Sequence, residues 1–279
     1  MNRFPTRSTA YSECKGCFDL KKYSTINCTI KDRVAHISFC RPDVHNAFND
    51  TVIHEMTDIF KELENDDSLR AVVLSGAGKS FCAGADLNWM KRVITQSFEE
   101  NLKESNALAG LFSIIYNFRS PVIGKVNGAA IGGGVGFVAV CDIAIAAESA
   151  KFSFSEVKIG LVPACIGPYV VKKIGEGKAR EFFITGERMN AEKAFQVGLV
   201  NKYVPDDKLD NAVDELVAMI KSSGPSAIAM AKRLVSSIPG MKEAEYKPFT
   251  AEMIARLRVS AEGQEGMNAF LEKRKPKWV

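Results

Sequence analysis

Apolar and polar positions along this chain follow two periods, and the switches between them predict its elements. Residues 27–31 and 34–39 alternate with a period of two, which predicts two strands joined by a tight turn at Asp32-Arg33. Val52, Met56, Ile59, Phe60 and Leu63 then recur at helical spacing, predicting a helix over about 50–65 with Asp50 as its N-cap. Residues 71–74 form a short unbroken apolar run, the mark of a strand covered on both faces. A loop at 80–86 and a helical region at 98–117 follow. The strand-loop-helix pattern then repeats, with strands at 121–126 and 143–147 around a helix at 133–141. Beyond Leu161 the pattern turns helical, with helices expected at 178–185, 191–197, 207–222, 226–238 and 243–270. Three segments result: an N-terminal extension over 1–23, an α/β core over 24–205 and a helical C-terminal region over 206–279.

Composition narrows the function without naming it. With 279 residues, 46% hydrophobic and 25% charged, the chain has material for a sizeable core. Its formal net charge of +4 is spread among interspersed acids and bases, which argues against nucleic acid as a partner. No apolar run approaches the roughly 20 residues of a membrane helix, since even 131–147 is broken by glycines and Asp142. The seven cysteines show no disulfide framework, so a reducing cytoplasm is expected. Cys14 and Cys17 lack a second pair or a histidine at metal-binding spacing, and no metal is expected. His36, His45 and His54 lack an evident nucleophilic partner.

The candidate chemistry lies in two loops and one acid. Phe81-Cys82-Ala83-Gly84-Ala85-Asp86-Leu87 and Gly128-Ala129-Ala130-Ile131-Gly132-Gly133-Gly134 each follow a strand-like run and precede a helix. Each can therefore present unpaired backbone N–H groups, and two such loops can bind one oxyanion. Glu156, in Phe154-Ser155-Glu156-Val157, supplies a carboxylate for proton transfer. No GxGxxG fingerprint opens a strand-helix unit, which disfavours a nicotinamide enzyme. Cys82 and Cys141 read as packing residues, because neither has a paired base. Asp86 reads as a turn and cap residue.

With these motifs in order, the chain resembles the crotonase superfamily of enoyl-CoA hydratases and isomerases from residue 25 onward. The resemblance rests on Arg41-Pro42 with Asn46-Ala47, the 81–87 loop, Pro121-Val122-Ile123 with Asn127-Gly128, Gly132-Gly133-Gly134 with Cys141-Asp142, Ala150-Lys151-Phe152, and Phe154-Ser155-Glu156. It implies repeated ββα units and a C-terminal helical region that forms trimers, often paired into hexamers. It further implies an acyl-CoA thioester substrate, with coenzyme A as part of the substrate and no separate cofactor. The oxyanion hole would fall on the backbone N–H groups of Ala85 and Gly133, with Glu156 as the catalytic acid and base. Ala85, Asp86, Leu87 and Asn88 would touch the thioester and pantetheine arm. Val44 and Ala83 would face the adenine end, and Gly132, Gly133 and Gly136 would border the substrate.

One departure from the family pattern bears on the reaction. Typical hydratases of the superfamily carry two glutamates, and the position of the first is Gly136 here. A single carboxylate can shuttle a proton between carbons, as isomerases do, or hold water and protonate the alpha carbon. The 127–164 run is similar to bacterial hydratases of leucine and acyclic-terpene degradation, which implies hydration, with 3-methylglutaconyl-CoA as a candidate substrate. The 164–168 segment replaces a more usual glycine-rich loop and is expected to reshape the acyl pocket. The alternatives are an isomerase and a catalytically weak acyl-CoA-binding relative.

Overall fold

The computed structural model describes residues 21–279; the Cys14/Cys17 pair and most of the expected extension lie outside the described residues. Strands β1 (Ile26–Lys31) and β2 (Val34–Phe39) form the expected hairpin. Asp32 and Arg33 both have positive φ, as a two-residue turn matching the strand twist requires. Helix α1 (Asp50–Leu63) starts where its period begins, but its N-cap is Asn49, whose side chain accepts from the Val52 N–H. Asp50 is the first helical residue, where its charge suits the helix dipole.

Three ββα units follow. The first contains β3 (Ala71–Gly76), β4 (Ser80–Cys82), α2 (Leu87–Val93) and α3 (Phe98–Asn117). The second is β5 (Val122–Val126), β6 (Ala129–Ile131) and α4 (Gly133–Val140). The third is β7 (Ile143–Ala147), β8 (Lys151–Ser153), a 3₁₀ turn over Ser155–Ile159 and α5 (Gly167–Thr185). Each unit sends one strand to each of two sheets. The larger sheet runs β1-β2-β3-β5-β7-β10 and the smaller β4-β6-β8-β9, with β9 (Arg188–Asn190), α6 (Ala191–Gln196) and β10 (Lys202–Val204) completing them. The chain ends in α7 (Leu209–Lys221), α8 (Pro225–Ser237), α9 (Glu243–Val259) and α10 (Ala261–Leu271).

Both faces of the larger sheet are covered, which explains the unbroken apolar run in β3. Val72 and Leu74 join the main core with Phe60, Phe112 and Phe137, while Ala71 and Val73 face a second cluster built with Leu209, Val213 and Ile220 of α7. The sequence pattern missed the small sheet. Residues 80–86 begin as β4, and the glycine-rich stretch contains β6, because three-residue strands carry no measurable alternation. The predicted 243–270 helix is two helices: Ser260 is extended, ends α9 and caps α10 through the Gly263 N–H.

Candidate active site

The small sheet builds the site. Strands β4, β6 and β8 are parallel and adjacent, so their C-terminal ends lie along one edge. Beyond that edge come 83–86 from β4, 132–134 from β6 and 154–156 from β8. All three sequence candidates therefore converge through register: Cys82 pairs with Ala130, which pairs with Phe152.

Close backbone approach locks the loops together. Gly84 has φ +93°, and a Cβ there would stand 2.7 Å from the Ile131 carbonyl oxygen. Gly132 has φ +53°, and a Cβ there would stand 3.4 Å from Glu156 Oε1. Glycine is the residue for both positions, since a side chain would be strained at each and would crowd the neighbouring loop at Gly84. Asn46 and Asn127 hold the preceding turns. Asn46 Nδ2 donates to the Ala77 and Ser80 carbonyls, and Asn127 Nδ2 donates to those of Gly76 and Gly78.

Ala85 is bridged to Phe48 in a parallel register, in which Phe48 N–H donates to Gly84 O and Asp86 N–H to Phe48 O. That pattern leaves the Ala85 N–H without a protein acceptor among the described residues. Gly133 is the first residue of α4, and its N–H is likewise uncommitted among the described residues. The aligned peptides of α4 add positive potential at that end. Two free donors on adjacent loops are the elements of an anion-stabilising pair.

Glu156 sits half-buried in the 3₁₀ turn. Its Oε2 is buried with no hydrogen-bond partner among the described residues. Burial pushes its carboxyl above the usual range, opposed only by a contact with its own backbone N–H; no charged neighbour contributes. A buried acceptor without a partner is costly, and such groups concentrate where chemistry uses them.

Gly136 lies inside α4, and its place is filled. A Cβ there would stand 2.2 Å from Ile166 Cγ2 and 2.8 Å from Phe112 Cζ. The space a first glutamate would need is thus occupied by an apolar plug, one half of which comes from the divergent 164–168 segment. The remaining candidates divide by exposure. Leu87 and Asn88 at the start of α2 are exposed, Leu87 at 74%, as is Val44 at 41%, while Ala83 is half-buried. Asp86 is committed elsewhere: it pairs with Arg41 at 2.8 Å and accepts from the Asn88 and Trp89 N–H groups as the N-cap of α2. Burial opposes its charge, but these partners together hold its carboxyl below the usual range. Burial pushes the Cys82 and Cys141 thiols up to about 12, which makes both poor nucleophiles.

Sequence reasoning missed Phe48, Phe112 and the structural work of Arg41. Phe48 and Phe112 show only as apolar positions, whereas Arg41 was visible in the Arg41-Pro42 motif. A cavity of about 740 Å³ under α8 lies apart from this site, and its Lys232 and Asp142 are paired with each other at 2.7 Å.

Comparison with known proteins identifies the family. The family profile for enoyl-CoA hydratase/isomerase matches residues 29–279. A short-chain-enoyl-CoA hydratase of Clostridium acetobutylicum is 34% identical over 245 residues, 87% of this chain and 93% of that protein. The crystal structure of an enoyl-CoA hydratase from Shewanella pealeana superposes with a TM-score of 0.89 at 41% identity, covering 92% of this chain and 97% of the other. AtuE of Pseudomonas aeruginosa gives a TM-score of 0.89 at 32% identity, covering 91% and 99%. The profile match over nearly the whole chain and these likenesses place the chain in the enoyl-CoA hydratase/isomerase family, on the crotonase fold.

Proposed function

We propose that this chain is a single-glutamate enoyl-CoA hydratase. The observation that carries the reading is Glu156, a half-buried glutamate whose buried Oε2 has no hydrogen-bond partner among the described residues, standing against the loop that presents the Gly133 N–H. With the thioester oxygen on the Ala85 and Gly133 N–H groups, Glu156 takes a proton from water as the oxygen bonds to the beta carbon. The electron pair of the double bond moves onto the thioester oxygen as an enolate. The same carboxyl then returns its proton to the alpha carbon, so water adds to one face. A donor of this kind is worth about 3 kcal/mol of transition-state stabilisation.

The apolar plug at Gly136 supports a mechanism in which one carboxylate handles both proton transfers, since Ile166 and Phe112 leave no room for a second. The finer reading, a branched acyl group such as 3-methylglutaconyl, rests on the resemblance of the 127–164 run. Exposed apolar residues on the C-terminal helices, Phe270 at 83% among them, suit a homotrimer or hexamer. No helix among the described residues is long and apolar enough to cross a membrane. The free thiols of the described cysteines suit a cytoplasmic location.

A mass-resolved assay tests the reading with crotonyl-CoA, 3-methylglutaconyl-CoA and a 3-enoyl-CoA, on wild type and Glu156→Gln. Gain of one water on a 2-enoyl substrate, abolished by the substitution, is the expected result. A double-bond shift without mass gain replaces hydratase with isomerase, which a lone carboxylate also permits. Tight acyl-CoA binding with no turnover of any substrate makes the chain a binding protein.

A further inference from the structure

We propose that Phe48 is a positioning residue that sets the spacing of the two oxyanion donors; the proposal rests on assigning that role to Ala85 and Gly133. Phe48 touches both donors, by different parts of itself. Its backbone N–H and carbonyl pair with Gly84 and Asp86, the residues flanking Ala85, and this pairing is what leaves the Ala85 N–H free. Its ring lies under Gly133: a Cβ at that glycine would stand 2.7 Å from Phe48 Cζ and 2.8 Å from Cε1. One rigid aromatic side chain thus spans from the loop that carries one donor to the helix start that carries the other.

The surroundings hold that spacer still. The ring packs on Trp89 at 5.6 Å and Phe137 at 5.9 Å between centroids, and Phe48 is 2% exposed. Arg41 closes the backbone side, donating to the Ala47 carbonyl just before Phe48 and to the Asp86 carboxylate just after Ala85. Trp89 belongs to α2, which begins at the end of the Ala85 loop, and its Nε1–H donates to Glu104 of α3 at 2.7 Å. The ring therefore has packing neighbours on the α2 side and the α4 side. A shorter side chain would let Gly133 settle toward Ala85. Catalysis depends on donors placed to within fractions of an ångström of the developing oxyanion, and a misplacement of about 1 Å costs on the order of a hundredfold.

The test uses Phe48→Leu, with Phe60→Leu as the control. Phe60 is equally buried but packs on Phe118, in another part of the core. Each protein is measured for kcat and KM on crotonyl-CoA, for thermal unfolding, and for the red shift of an aryl-enoyl-CoA chromophore whose carbonyl is polarised on binding. Phe48→Leu is expected to lower kcat by about tenfold to a hundredfold with little change in KM, and to shrink the red shift. Phe60→Leu is expected to lose comparable thermal stability while keeping kcat and the red shift. If Phe48→Leu keeps both kcat and the wild-type red shift, or if Phe60→Leu loses them equally, the positioning role is overturned. If wild type itself produces no red shift, the assignment of the oxyanion donors fails first. Should Phe48→Leu not fold, Phe48→Met takes its place under the same criteria.

Discussion

Introducing the second glutamate, Gly136→Glu, should not convert this protein into a two-carboxylate hydratase; it should damage it. A Cβ at 136 stands 2.2 Å from Ile166 Cγ2, and ordinary contact begins at 3.4 Å, so that methyl must retreat by about 1.2 Å before any of the carboxylate is placed. Phe112, 0% exposed, closes the other side at 2.8 Å. Overpacking of this kind costs about 1–3 kcal/mol. A new carboxylate among these apolar groups adds a desolvation cost. A total near 3 kcal/mol lowers the melting temperature by roughly 6–12 °C for a domain of this size. Thermal unfolding of wild type, Gly136→Glu and Gly136→Glu/Ile166→Ala measures this directly. The double substitution removes the atom in closest conflict and should recover part of the loss. Hydration of crotonyl-CoA, followed in parallel, should fall in the single variant. A Gly136→Glu protein with wild-type melting temperature and raised hydration would refute the reasoning, because it would mean that the space at Gly136 is not filled.

Other consequences can be measured as readily. Glu156→Gln should lower turnover by at least about a hundredfold while leaving acyl-CoA affinity within a fewfold; retained turnover would remove Glu156 from the mechanism. Because burial raises the Glu156 carboxyl in the folded state, the native protein holds a proton that the unfolded chain has released, and its stability falls as pH rises from the ordinary carboxylate value through the raised one. Urea unfolding across that window should show Glu156→Gln gaining on wild type as pH rises, with no relative gain below it; a difference independent of pH would contradict the burial cause. The acid limb of kcat/KM for hydration should lie above the usual carboxylate range for the same reason. Asp86→Ala removes both the Arg41 partner and the α2 cap, and should cost about 3 kcal/mol in chemical denaturation together with a loss in kcat; an unchanged kcat would separate this pair from the site.

The chain's own patterning announced five strands of the larger sheet, α1 and α3, because each has enough residues for a period of two or 3.6 to show, or a continuous apolar run that only a doubly covered strand explains; the sixth strand, β10, has three residues and fell where only helices were expected. The 98–117 helix, with Ser97 and Glu100 forming its capping box, and the strand at 143–147 have the predicted limits because local chemistry decides them. Glu156 and both glycine-containing loops were also readable, since motif residues mark them whatever surrounds them. The small sheet was not, and neither was its consequence. Strands β4, β6 and β8 have three residues each, too few to carry a pattern, and they exist because neighbouring chain supplies their hydrogen-bond partners. Their register, set by pairing between segments far apart in sequence, is what brings residues 85, 133 and 156 to one edge.

Gly136 makes the same distinction at a single residue. The sequence shows that a carboxylate is missing; only packing shows that Ile166 and Phe112 have taken its place. Phe48 likewise reads as one apolar residue before a helix, and its hold on two donors exists only where a backbone pairing and a ring contact meet. Short-range chemistry determined which groups this protein has for catalysis. Contacts between distant segments decided where those groups stand, because distance and burial at a site are properties of the folded chain alone.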